Sequence, residues 1–169
     1  MSEPIGERPR MPDYGVDSPE WQALPWSWAA ERLGRTRNYW VTTVSPAGQP
    51  HSLPVWGVWH DESRQFSFSC APGAAKARHL AHNPLMVFTT TDTIECVSVE
   101  GTAVRSTEAG TIAGWVPRYV AKYGDEVGPD FGDFLGANAM FVVTPSVAFA
   151  MIERADEFST RATRWRFTT

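Results

Sequence analysis

The chain has 169 residues, a formal net charge of −4, and 43% hydrophobic against 20% charged side chains. That length suits one folded domain with a sizeable core. The acidic balance excludes bulk attraction to nucleic acid or an anionic membrane, so the basic groups must act locally.

Only two of the fifteen basic side chains are lysines, Lys76 and Lys122. The rest are arginines, which suit planar, bidentate contact with carboxylate or phosphate. Cys70 and Cys96 lack CxxC spacing and read as reduced thiols, in keeping with a cytoplasmic protein. The N-terminus carries no basic stretch followed by an apolar one, so no secretory signal is read there. No run of about 18 apolar residues marks a transmembrane helix.

Residues 1–20 are rich in Pro, Gly and charge. They predict an extended N-terminal arm, able to wrap a neighbour, ahead of a domain over 21–169. "PWSWAAERL", Pro25 to Leu33, predicts a short helix stopped by Gly34, with Trp26, Ala30 and Leu33 on one face. "NYWVTTVSPAGQPHSLPVWGVWHD" holds the turn "SPAG" between two β-rich runs, a hairpin. "QFSFSC" alternates, placing Phe66 and Phe68 on one face of a half-buried strand. "GAAKARHLAHN" is Ala-rich and helical, closed by Asn83 before Pro84.

"PLMVFTTT" is a strand, and "IECVSVEGTAVRS" a long alternating one. A helix is predicted from Thr111 to Tyr123, capped by Gly124, followed by "GPDFGDFLG" as a loop or short turn. "AMFVVTP" and "SVAFAMI" read as a hairpin broken at Thr144 and Pro145, and "TRWRFT" as a last strand. The fold class is therefore mainly β: a barrel of about seven or eight mostly antiparallel strands with two to four short helices.

No GxGxxG, Walker A loop or GxSxG elbow is present. His51, His60, His79 and His82 are scattered without an acidic or Cys cluster, so no metal site is read from them. Two stretches carry chemistry. "SCAPGAAKARHL" leads a strand through Pro-Gly into a helix whose first turns hold Lys76 and Arg78. Free N–H groups at a helix start beside two cations make a phosphate site; a solvated basic helix face is the other reading. In "QPHSLPVWGVW", Pro50 and Pro54 remove ladder donors, so the strand lies locally at an edge or faces a ligand. A core strand next to a bulge is the alternative.

These stretches in this order, with "VSVEGTAVR" and the closing "ATRWRF", resemble the pyridoxamine-phosphate-oxidase-like split β-barrel superfamily. The chain is most similar to its flavin/deazaflavin oxidoreductases of type B, over about Arg37 to Phe167. The resemblance implies a homodimer with two cofactor clefts at the interface, each holding FMN or coenzyme F420, an 8-hydroxy-5-deazaflavin. It implies that His51, Ser52, Leu53, Pro54 and Val55 lie along the tricyclic ring, with Ser67 and Ser69 on the neighbouring strand. Ala75, Lys76 and Arg78 would grip the phosphate. Arg164, Trp165 and Arg166 would reach the cleft, often from the other subunit. The ending "TRWRF" is commoner among deazaflavin users, which favours F420. Many relatives carry Ser-Arg-Lys where this chain has Ala74, Ala75 and Lys76, so one bidentate phosphate contact is missing.

The activity expected from the resemblance is hydride transfer from reduced F420 to an unsaturated small molecule. FMN-dependent oxidation or reduction, or a non-catalytic deazaflavin or haem carrier, is the alternative. His51 and Tyr123 are the candidate general acids, with solvent as the other proton source. The substrate pocket is expected between the 111–136 insertion and the first twenty residues.

Overall fold

The computed structural model describes residues 3–167 except 125, 127 and 129. The first two residues of the arm, three positions of the 111–136 insertion and the last two residues of the chain lie outside the described residues. The strands are β1 (Gly6–Glu7), β2 (Asn38–Val44), β3 (Pro50–His60), β4 (Gln65–Cys70), β5 (Leu85–Thr89), β6 (Glu95–Ser106), β7 (Ala139–Ile152) and β8 (Thr163–Arg166). The helices are α1 (Trp26–Arg35), α2 (Ala75–His82), α3 (Ala109–Tyr123), α4 (Phe131–Ala137) and the single turn α5 (Phe158–Arg161). The strands form one antiparallel sheet in the order β1-β8-β7-β4-β3-β2-β5-β6, and β7 pairs again with β6, closing six of them into a split barrel.

Period-two alternation fills the barrel. Tyr39, Val41, Phe66, Phe68, Phe88, Val97, Val99 and Phe141 all point inward and are buried. Phe66 stacks on Phe88 with ring centres 4.2 Å apart. Helix α1 closes one end with Trp26, Ala29 and Leu33, while Ala30 is only partly buried. Trp26 meets Trp165 and Phe167 edge-on at 5.5 and 5.1 Å. One carboxylate oxygen of Asp61 accepts the indole N–H of both Trp26 and Trp59, at 3.2 Å each, tying α1 to β3. Helix α2 lies at the opposite end of β2, where His79 meets Thr43.

Three local expectations are corrected. The apolar stretch around Pro145 is not a hairpin but one fourteen-residue strand, β7. Gly101 faces Pro145 and Glu100 faces Val147, so Ser146 is an extra residue in a bulge. The bulge takes up Pro145, which has no ladder donor, and bends the strand without reversing it. "GPDFGDFLG" contains helix α4, because Phe131 and Leu135, four apart, pack on Tyr119 and Met140. Strand β4 is not half-buried: α3 covers its other face, and Ser67 is fully buried there. The arm runs along its own chain: Gly6 and Glu7 pair with Trp165 and Arg164, and Gln22 N donates to Thr160 O at 2.9 Å.

The "SPAG" turn forms as read, with Gly48 at φ 81° and its N–H donating to Ser45 O at 2.9 Å. Gly57 meets a tighter demand. A Cβ there would fall inside the edge of the Phe66 ring and 3.0 Å from Ser67 O. Gly57→Ala is therefore expected to lower stability by about 1–3 kcal/mol through overpacking. Gly34→Ala, in α1 with open space around it, should instead raise it by up to about 1 kcal/mol. Denaturant unfolding of the two variants beside the parent protein checks both signs.

Candidate functional site

Strand β3 pairs with β2 from Pro50 to Trp56, but with β4 only from Gly57 to His60. Beyond Gly57 the two strands part, and no other strand lies on that edge among the described residues. Pairs in an antiparallel ladder alternate between mutually bonded and unbonded. Pro54 faces Trp40 and Pro50 faces Val44; lacking N–H groups, neither can form a mutually bonded pair. By the same parity Ser52 and Trp56 turn their amides away from β2, onto the open edge. The edge reading of the two prolines therefore holds, and a polar backbone rim is left for something other than a strand.

Helix α2 stands at the end of this edge. The chain leaves β4 at Cys70 and turns at Ala71–Ala74, where Ala74 N donates to Ala71 O at 2.9 Å. The amides of Ala75 and Lys76 lie in the first turn, beyond the reach of intrahelical acceptors. Lys76 is half-buried; Arg78 is exposed and donates to Gly73 O. Burial pushes the Cys70 thiol up, and the nearby cations Lys76 and Arg105 pull it down. Arg105, at the end of β6, was not legible as a site residue: its alternation marks only an exposed position, and the β6–β7 register alone places it opposite Phe141. Among the described residues, Lys76, Arg78 and Arg105 form no salt bridge.

His51 sits on the barrel side of the open strand, 4.8 Å from the His79 ring of α2. His79 Nδ1 is 3.0 Å from Thr43 Oγ1. Burial, then the neighbouring His51 and Arg78, lowers the His79 pKa. Leu53 shares that side of the strand and remains 56% exposed, whereas Val55 is buried. Ser52 Oγ, on the outer face, accepts from Thr42 Oγ1 at 2.9 Å.

Other candidates lie apart. Ser67 Oγ is buried under α3, 3.4 Å from the Tyr119 hydroxyl. Ser69 is half-buried in the ladder with Met140. Trp165 is fully buried at the α1 end. Arg164 and Arg166 share the outer face of β8, 3.7 and 2.9 Å from one oxygen of Glu7.

Tyr123 is buried, and its hydroxyl accepts the Gly57 N–H at 2.9 Å and faces Arg37 O at 2.6 Å. Burial raises its pKa. Lys122 Nζ donates to Gly57 O at 2.8 Å and to Tyr39 OH at 2.9 Å. Burial, with Arg37 nearby, lowers the lysine to about 7. Trp56 stacks flat on Tyr123, 4.7 Å away, and lines a cavity of about 550 Å³ with Glu126, Gly128, Asp130, Phe131 and Phe134. The 111–136 insertion thus walls a cavity at the end of the open edge, while the described part of the first twenty residues lies along β8 and α5. On the outer face, Trp40, Leu85 and Val104 are 43, 61 and 63% exposed.

The family profile described as Pyridoxamine 5'-phosphate oxidase matches residues 26–151. No curated protein matches the sequence. Many solved structures share the fold, among them the following three. One named F420 reductase superposes with a TM-score of 0.56 at 18% identity, covering 70% of this chain and 93% of that one. A conserved hypothetical protein, Rv2991, from Mycobacterium tuberculosis gives 0.62 at 19% identity, covering 88% of each chain. A heme binding protein from Mycobacterium smegmatis gives 0.59 at 16% identity, covering 82% of this chain and 62% of that one.

The buried lysine sets a pH dependence. Unfolded, Lys122 holds its proton up to about 10.5; folded, it releases it near 7. Between those values the unfolded state binds the extra proton, so stability rises with pH. Unfolding midpoints measured from pH about 7 to about 9.5, below the tyrosine range, should climb for the parent protein and climb less for Lys122→Met. Equal slopes would mean that Lys122 stays charged in the fold.

Proposed function

The chain belongs to the pyridoxamine 5'-phosphate oxidase family, and on that premise we propose that it is an oxidoreductase using reduced coenzyme F420. The observation that carries this reading is the open edge of β3, which ends beside three cations without carboxylate partners among the described residues. A flat heteroaromatic ring with polar edges suits the outward amides of Ser52 and Trp56. Its phosphate suits the start of α2 and Lys76, an anion site by charge and by its free amides. Arg78 and Arg105 add positive charge at that end. FMN would use the same groups. The larger anionic tail of F420, together with the closing "TRWRF", favours the deazaflavin.

When bound, the deazaflavin supplies a hydride from its C5. The chain's residues do the rest: β3 orients the ring, α2 fixes the tail, and the cavity between β3 and α4 receives the acceptor. His51 is the titratable group on the open strand and the better candidate for a proton at that edge. The Tyr123 hydroxyl is committed to Gly57 and Arg37. Within one chain Arg164 and Arg166 lie at the α1 end, so their role at a cleft requires the partner subunit. We assign the outer face carrying Trp40, Leu85 and Val104 to a homodimer contact, because large apolar side chains exposed on one sheet face call for cover. A carrier of deazaflavin or haem is the second reading, favoured by the heme binding protein that shares the fold.

Titration of the purified protein with F420 and with FMN tests the cofactor. Reoxidation of reduced F420 by enone or quinone acceptors separates an enzyme from a carrier. Lys76→Ala should weaken cofactor binding about ten- to a hundred-fold and leave the cofactor-free melting temperature unchanged. An unchanged affinity returns Lys76 to a solvated helix face. Light scattering should give a dimer burying roughly 2,000 Å², and Leu85→Asp should give a folded monomer. A monomeric parent protein at micromolar concentration would remove the interface cleft.

A further inference from the structure

The cavity between β3 and α4 has a definite chemistry. Its volume of about 550 Å³ lies in the usual range for a small-molecule site. Three aromatic side chains form its walls. Trp56 is fixed by its stack on Tyr123; Phe131 is buried and stacks on Phe134, with ring centres 5.5 Å apart. Phe134 is nevertheless 54% exposed and Trp56 37% exposed, so both present ring surface to the cavity.

The charges around it are unequal. Glu126 is held by Arg37 in an ion pair, which neutralises both. Asp130 forms no salt bridge among the described residues. Lys122, behind the Trp56–Tyr123 stack, is turned into the fold through Gly57 O and Tyr39 OH. One carboxylate without a salt-bridge partner among the described residues, that of Asp130, therefore shares the cavity with two exposed ring surfaces. Indole and phenyl faces attract cations, tryptophan most strongly. An anion would meet Asp130 and the negative ring faces together.

We propose that this cavity binds a planar aromatic cation, and that such a ring is the substrate class. The first half stands on the cavity alone; the second rests on the cofactor reading above, since Trp56 ends the open edge. The chemistry is self-consistent. Hydride addition to a ring cation forms one C–H bond with the electron pair of the donor's C–H bond. The product ring is neutral, and the oxidised donor releases its N–H proton to solvent. The acceptor needs no proton, which fits a cavity with no hydroxyl among its described lining residues; the hydroxyl of Tyr123, which stacks on Trp56, is engaged by backbone.

The test uses cofactor-free protein and two fluorescent probes, the planar cation proflavine and the anion 8-anilinonaphthalene-1-sulfonate. Proflavine should bind once per chain and more tightly than the sulfonate. Phe134→Ala should weaken proflavine about tenfold, and Asp130→Asn about three- to tenfold. Equal or tighter binding of the sulfonate, or unchanged proflavine affinity in either variant, overturns the proposal. So does dissociation of the parent oligomer by Phe134→Ala, which would mean that a second copy covers the cavity. F420 titration keeps the two readings apart. Phe134→Ala should bind F420 as the parent does. Proflavine binding to a parent protein that takes no F420 leaves the site standing and removes its assignment to substrate.

Discussion

Strand β3 can lie against β4 only because residue 57 has no side chain. The two backbones approach so closely there that a single methyl group would enter the Phe66 ring. On one side of that point β3 pairs with β4 alone for four residues; on the other it pairs with β2 alone for seven. The barrel is split because pairing is forced tight at Gly57 and then abandoned. Pro50 and Pro54 ensure that the abandoned half cannot be reclaimed by an ordinary ladder.

Around Gly57 the missing ladder partner is replaced by side chains. Tyr123 and Lys122, neighbours at the end of α3, satisfy its amide and carbonyl. Two hydrophobic cores are joined at this junction. One fills the barrel; the other lies outside it, where Trp115, Tyr119, Phe131 and Leu135 cover Val58 and Met140. The β4-paired end of β3 is thus held between a packed interior and a packed exterior, and the exposed open half extends from that base.

The strands were legible because their alternation is strong and their turns carry the residues that turns require. The prolines of β3 announced the edge, since a missing donor has a geometric meaning that one sequence can carry. Helix α4 was hidden: two glycines and an aspartate in seven residues argue against a helix, and only the surface beneath Phe131 and Leu135 decides for it. The bulge at Ser146 was hidden for a related reason. A proline inside an apolar run signals interruption, and whether the chain reverses or bends depends on what pairs with each half. The arginine of β6 shows the limit most clearly. Arg105 looks like any exposed residue until the β6–β7 register carries it to the cation group at α2.

The pairing of β1 with β8 joins groups 159 residues apart in the chain. Such a contact closes a loop spanning nearly the whole protein, and its entropy must be met by structure already in place. The barrel between them has to exist first. During synthesis β1 emerges long before its partner strand, and it waits unpaired until β8 has followed the barrel strands. The sheet is therefore finished at its outer rim by its first and last strands, and that edge is completed only after the barrel between them has formed.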